Sequence, residues 1–223
     1  MPAVPDLTLK IAIPSAPVVP LTVAAMSVAP RLEEIVTVFP ERAAPDSSFT
    51  VTVMVDSLTY RTWYLDWSNV KTVSDAQLRG ISLGKNVVVR AGTVLVKIQT
   101  DPKVYAVEPN GLLRWVPTEA RAKALYGNDW AKRVVDVPII FWGDYNFGPD
   151  IITDSYPTGA LIKYATLPEV YYVQGAEKRM VAAEAAFTAN NFRWINVLPA
   201  SDMIYFPNGV AITMKEPSLA SIY

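Results

Sequence analysis

A chain of 223 residues without a cysteine or a histidine has few reactions open to it. Thiolate and imidazole ligands are the basis of the usual zinc, copper, haem and iron–sulfur sites. Ser-His-Asp and Cys-His nucleophile systems need the same residues. Any chemistry must therefore come from carboxylates, Lys, Tyr or hydroxyls, and three patterns of that kind occur. SLGK at 82–85 has the S-x-x-K form of serine acylases, but the S-D-N and K-T-G partners are missing. Asp66 stands near several aromatics, yet a glycosidase needs two carboxylates facing each other across a cleft. The acid also recurs as Asp129, directly before Trp130, which favours a structural role. DYNFGPD at 144–150 spaces Asp144, Asn146 and Asp150 like the first ligands of a calcium loop, with Asp154 as a possible addition. The pattern fails at position 6, which is Pro149 rather than Gly, and at position 12, which is Ser155 rather than Glu. An ordinary turn is the stronger reading there. Calcium is the one cofactor the residues leave open, and no catalytic residue is assigned.

Aromatic side chains offer binding rather than catalysis. Trp63, Tyr64, Trp115, Trp142, Tyr145 and Tyr172 have no strict counterpart elsewhere in the chain. If exposed, such rings form a platform for the C–H faces of sugars; if buried, they are core area. The net charge of −1, from 20 basic and 21 acidic residues spread along the chain, provides no basic stripe for phosphates. Nucleic acid is therefore not an expected partner. Residues 11–30 carry no charge, but Pro14, Pro17 and Pro20 break any spanning helix. Their spacing of three suits polyproline II, so residues 1–48 are expected to form a Pro-rich extended arm or linker without a transmembrane segment.

What positions these residues is a phrase written twice: KVYAVEPNGLLRWV at 103–116 and EVYYVQGAEKRMV at 169–181. Lys97, Pro102, Val104, Tyr105 and Val107 match Lys163, Pro168, Val170, Tyr171 and Val173, 66 positions on. Arg114 and Val116 match Arg179 and Val181 at 65. Each phrase alternates apolar and polar residues around a glycine turn, the mark of a β-hairpin. A helical stretch follows each, TEARAKALYG from Thr118 and AAEAAFTANN at 182–191. Thr118 suits an N-cap and Gly127 a helix stop. Trp130 and Trp194 then open short strands, and closing turns end at Gly148 and Gly209. Trp67 begins a similar tail that ends at Gly84, with Ser74 and Gln77 as a capping box. Its hairpin is expected within residues 48–55.

The expected fold is mainly β with short helices (α+β). Tandem repeats of about 60 residues, each a hairpin, a helix and a closing strand, would pack on their neighbours. The boundaries are an arm at 1–48, a degenerate first repeat at 49–90, a second at 91–151, a third at 152–213 and a tail at 214–223. Residues kept in every unit belong to the scaffold: Trp67, Trp130 and Trp194 as packing residues, and Tyr105, Tyr171, Arg114 and Arg179 as hairpin contacts. An Arg over a hairpin tyrosine would make a cation–π pair.

The run WYLDWSNVKTVSDAQLRGISLGKNVVVRAGTVLVKIQTDPKVYAVEPNGLLRWV, then AKALYGNDWAKRVVDVP and YPTGALIKYATLPEVYYVQGAEKRMV, resembles tandem repeats of large secreted proteins from small-genome, candidate-phylum bacteria. In these proteins the phrase VYYV, then Gly, then Lys/Arg-Arg recurs beside other extracellular modules. The resemblance spans roughly residues 60–213 and implies S-layer-like cell-surface material without assigned chemistry. The expected function is a secreted, non-enzymatic surface protein with a structural or adhesive envelope role. Its partners would be envelope components or glycans, with self-association through the N-terminal arm. The alternative is a carbohydrate-binding module using exposed aromatics.

Overall fold

The computed structural model describes residues 10–12, 21–26, 34–38, 50–54, 56–67, 70–72, 82–153 and 155–220. They are mainly β-strands with a few short helices, in two compact units divided after residue 88. Among the described residues no helix is long and apolar enough to cross a membrane.

The first unit is a six-stranded sheet in the order β5-β1-β2-β3-β4-β6. Its strands are β1 (Lys10–Ala12), β2 (Leu21–Met26), β3 (Glu34–Val38), β4 (Thr50–Met54), β5 (Val70–Thr72) and β6 (Ser82–Val87). The alternation TVTVM in β4 is the period of a strand with two distinct faces. Strands β1 to β3 fall within residues 1–48; they are extended and pair within this sheet. Helix α1 (Ser57–Trp63) starts where the Asp56 carboxylate accepts the Thr59 N–H at 2.5 Å. The helix expected from Ser74 and Gln77 lies outside the described residues.

The second unit holds two sheets. One has the order β10-β7-β8-β9-β11, from β7 (Leu95–Ile98), β8 (Asp101–Glu108), β9 (Leu112–Trp115), β10 (Val134–Asp136) and β11 (Asn146–Phe147). The other has the order β14-β13-β12-β15, from β12 (Leu161–Tyr164), β13 (Tyr171–Gln174), β14 (Glu177–Met180) and β15 (Val197–Ala200). Both are antiparallel through the central strands, with a parallel closing strand on one side: β10 on β7, and β15 on β12. On the other side the chain returns parallel to the last hairpin strand. Gly148 N–H donates to the Leu113 carbonyl at 2.8 Å, and Gly209 N–H to the Lys178 carbonyl at 2.9 Å. Helix α2 (Glu119–Tyr126) follows β9, capped by the Thr118 hydroxyl and stopped by Gly127 at φ +80. Helix α3 (Glu184–Ala189) follows β14 and ends on Asn190, with Asn191 left-handed at φ 53.

The two sheets meet backbone to backbone. Gly92 and Gly159 hold positive φ, +70 and +102, and donate their N–H groups to the Val107 and Val173 carbonyls. These carbonyls belong to matching places, 66 residues apart. A Cβ on Gly92 would stand 1.9 Å from the Gly159 carbonyl oxygen, and one on Gly159 would stand 2.7 Å from the Ala91 Cβ. Side chains also join the two sheets. The buried Arg90 donates to the Asn190 and Asn191 carbonyls at the end of α3, at 2.7 and 2.8 Å. Tyr156, 66 positions later, is buried in the same core cluster as Tyr126, the last residue of α2. That cluster draws Leu95, Val116 and Leu125 from one half and Ile162, Val173 and Leu198 from the other, so one hydrophobic interior serves both sheets.

Residues 214–220 close over α3. The buried Asn190 amide donates to the Met214 carbonyl, and its oxygen accepts from Glu216 N–H, each at 2.9 Å. Helix α4 (Pro217–Ala220) inserts Leu219 beside Phe187.

Replacing Gly92 by Ala forces backbone apart and is expected to cost about 3 kcal/mol or more in urea unfolding. Gly175→Ala is the control. That glycine also has positive φ, +59, but nothing lies within 4 Å of its Cβ position, so about 1–2 kcal/mol is expected. Equal losses would contradict the close approach.

Candidate functional site

The hairpin β8–β9 and the start of α2 enclose a surface groove of about 260 Å³. Lys103, Trp115, Thr118, Glu119, Ala122 and Trp130 are among the residues that line it. Trp115 is opposite Tyr105 in the ladder, and Lys103 precedes Tyr105 by two, so all three share a face. The Lys103 ammonium lies 5.0 Å from the Trp115 ring centre. Thr118 Oγ1 accepts the Arg121 N–H at 3.1 Å, which leaves its own proton to donate outward. The Glu119 carboxylate pairs with Lys123 at 2.8 Å. Trp130 is half-buried with one side on the shared core. The groove thus joins two indole surfaces to a cationic and a hydroxyl donor. Among the described residues that line it, Glu119 is the one carboxylate.

The six unrepeated aromatics do not make one platform. Trp115 lines the groove. Trp142 is half-buried in an aromatic cluster, with centroids 5.7 Å from Tyr105 and Tyr145 and 6.1 Å from Phe147. Trp63 donates its indole N–H to the Val88 carbonyl at 2.9 Å, and Tyr64 lies 4.9 Å from Tyr60, both in the first unit. Tyr145 and Tyr172 are buried, which corrects their expected exposure. The Tyr145 hydroxyl accepts the Val89 N–H at 3.1 Å. Tyr172 sits on the middle strand β13 and stacks on Phe192 at 5.8 Å, on the face that α3 covers. Burial pushes its hydroxyl pKa up, against the lowering influence of Arg90 and Arg179.

The matching positions also divide. Trp67 stacks on Tyr60 at 3.9 Å and Trp130 packs on the core, as scaffold residues should. Trp194 is 62% exposed and uses one face, 4.8 Å from Phe187. Its expected interior role is corrected, because the chain beyond it leaves the outer face uncovered. Tyr105 and Tyr171 are buried, and desolvation raises both hydroxyl pKa values, reinforced by Asp101 and Asp150 for Tyr105 and by Glu169 for Tyr171. Neither arginine forms the expected cation–π pair. Arg114 donates to the Glu108 carboxylate and the Pro149 carbonyl, at 3.1 and 2.9 Å. Arg179 grips Glu216 with both terminal nitrogens and donates to the Val210 carbonyl. A guanidinium fork matches carboxylate and carbonyl better than a ring face. The cation near Tyr171 is instead Lys178, 4.8 Å from its centroid and 4.4 Å from that of Tyr164.

Asp144, Asn146 and Asp150 are exposed, and Asn146 is a strand residue paired with Leu112 rather than part of a ligand loop. Asp150 offers Arg114 its backbone carbonyl at 3.4 Å. Among the described residues no group of three acidic side chains is placed to hold a metal ion, and Asp154 lies outside them.

Reasoning from the sequence missed Ala122 and Lys103. The available signal was the difference between the two helices, where Ala122 and Phe187 each follow the first-turn glutamate by three. Comparison with protein-family models, curated proteins and solved structures found no match.

Truncating Tyr172 to Ala is expected to cost about 3–5 kcal/mol in thermal unfolding, the range for large buried side chains. Trp115→Ala should cost no more than about 1–2 kcal/mol, because its ring faces the groove. The reverse order would contradict this placement.

Proposed function

We propose that the chain is a non-enzymatic repeat protein of a bacterial surface, with a structural and adhesive role in the envelope. The two sheets of the second unit are read as two copies of one unit of about 60 residues, and the β4–α1–β5–β6 region as a diverged third. The observation that carries this reading is the reciprocal contact of Gly92 and Gly159. The most demanding backbone positions in the second unit hold one sheet against the other. Secretion or surface display rests on the resemblance of the hairpin phrases to S-layer-like repeats. Self-association would use the N-terminal segment: β5 and β6 end the strand order of the six-stranded sheet, and strand addition there is a route to assembly.

A second reading, carbohydrate binding, is favoured by the groove that holds Trp115 and Trp130. It concerns what the surface module attaches to.

The full chain is expected to form oligomers in multi-angle light scattering, or to co-sediment with purified bacterial envelope fragments. A strict monomer that stays in the supernatant in both assays would sink the proposal.

A further inference from the structure

We infer that the groove between β8–β9 and α2 is a binding site for one pyranose ring, seated over Trp130 with its polar edge toward Lys103 and Thr118. This rests on the carbohydrate-binding reading and gives it a place, an orientation and a cause.

The cause lies in the comparison of the two halves. In the second sheet, Phe187 occupies the fourth position of α3, and its ring stacks on Trp194 at 4.8 Å with a 24° tilt. In the first, the fourth position of α2 is Ala122, and the tryptophan that opens the following 3-10 turn is Trp130. Where one half holds a six-membered ring stacked on an indole, the other has a methyl group and an open groove of about 260 Å³. The groove beside Trp130 therefore offers an indole surface and volume enough for such a ring.

The rim decides which ring. Lys103 and Thr118 stand where the other half has Glu169 and Ala183. Lys103 makes no ion pair among the described residues and rests over the Trp115 ring, itself in the place of Met180. A phenyl side chain from a partner would fill the volume but leave an ammonium and a hydroxyl desolvated without acceptors, at a free-energy cost. A pyranose presents an apolar C–H face to the indoles and hydroxyl or carboxylate oxygens to these two donors. The Trp115 ring, opposite Tyr105 in the ladder, would flank the same sugar.

The test is titration of the full chain with cellobiose, chitobiose and glucuronic acid, each up to about 10 mM, where a site of 1 mM Kd is mostly filled. The readout is the shift of tryptophan indole N–H resonances. Saturable binding of at least one sugar is expected, with affinity reduced at least about tenfold by Ala122→Phe and by Trp115→Ala. If Ala122→Phe fails to fold, Trp115→Ala and Lys103→Gln decide, each titrated at a temperature where its thermal melt shows it fully folded. No binding of any of the three sugars, or unchanged affinity in the variants, would overturn the assignment. So would binding of N-acetyl-phenylalanine amide in place of the sugars, which would mark a peptide side-chain pocket. Oligomer formation and envelope co-sedimentation are read separately, so a groove that ignores sugars leaves the surface proposal standing.

Discussion

The second unit is organised by a contact that only glycine can make. At Gly92 and Gly159 two backbones approach so closely that a Cβ on either would overlap the other chain segment. Each glycine is held at positive φ by an N–H bond to the carbonyl of a central hairpin residue, Val107 or Val173. The hairpins thus fix the glycines, and the glycines set how near the hairpins can come. Everything beneath depends on that distance. Leu95, Leu125, Ile162 and Leu198 are almost fully buried because the two sheets close over one interior. A gap of one methyl group would cost those side chains their dense packing.

The polar contacts at the ends of this interior are less tolerant than the apolar ones. Arg90 is 6% exposed and hands its guanidinium protons to the carbonyls of Asn190, Asn191 and Leu219. Those are groups that the end of α3 and the C-terminal helix would otherwise leave unpaired. A buried cation held by three backbone oxygens joins the start of the unit to its last helix. Asn190 performs the companion task, tying Met214 and Glu216 to α3. The tail is therefore part of the fold and covers the outer face of the second half. In the first half Ala122 is itself buried in the shared core, and with the half-buried Trp130 it lines the groove beside β8–β9.

Much of this was legible beforehand. The spacing of 66 placed the hairpins, the Thr118 cap and Gly127 stop bounded α2, and the repeated tryptophans marked the following turns. The closing strands emerged where the matched residues put them. What the pattern could not show was how one half meets the other, because two similar hairpin sheets can stack by translation or face each other with the same hairpins. The burial of Tyr172 was hidden for a related reason: alternation identifies two faces of a strand without saying which one a helix will cover. Trp194 misled in the opposite direction, since its counterparts Trp67 and Trp130 are packed while its own outer face meets solvent. The groove itself came from a residue too small to attract notice. Ala122 matters because Phe187 holds the same place in the other half, and that meaning appears only when the two helices are compared position by position.

The central claim is that the two hairpin sheets face each other across Gly92 and Gly159. Nuclear Overhauser spectroscopy of the full chain measures this directly, through the α-protons of the two glycines. Cross-peaks linking Gly92 to Gly159 and Ala160, alongside the ladder contacts of β8–β9 and β13–β14, are the predicted result. Intact ladders without any cross-peak between the two glycine segments would contradict it.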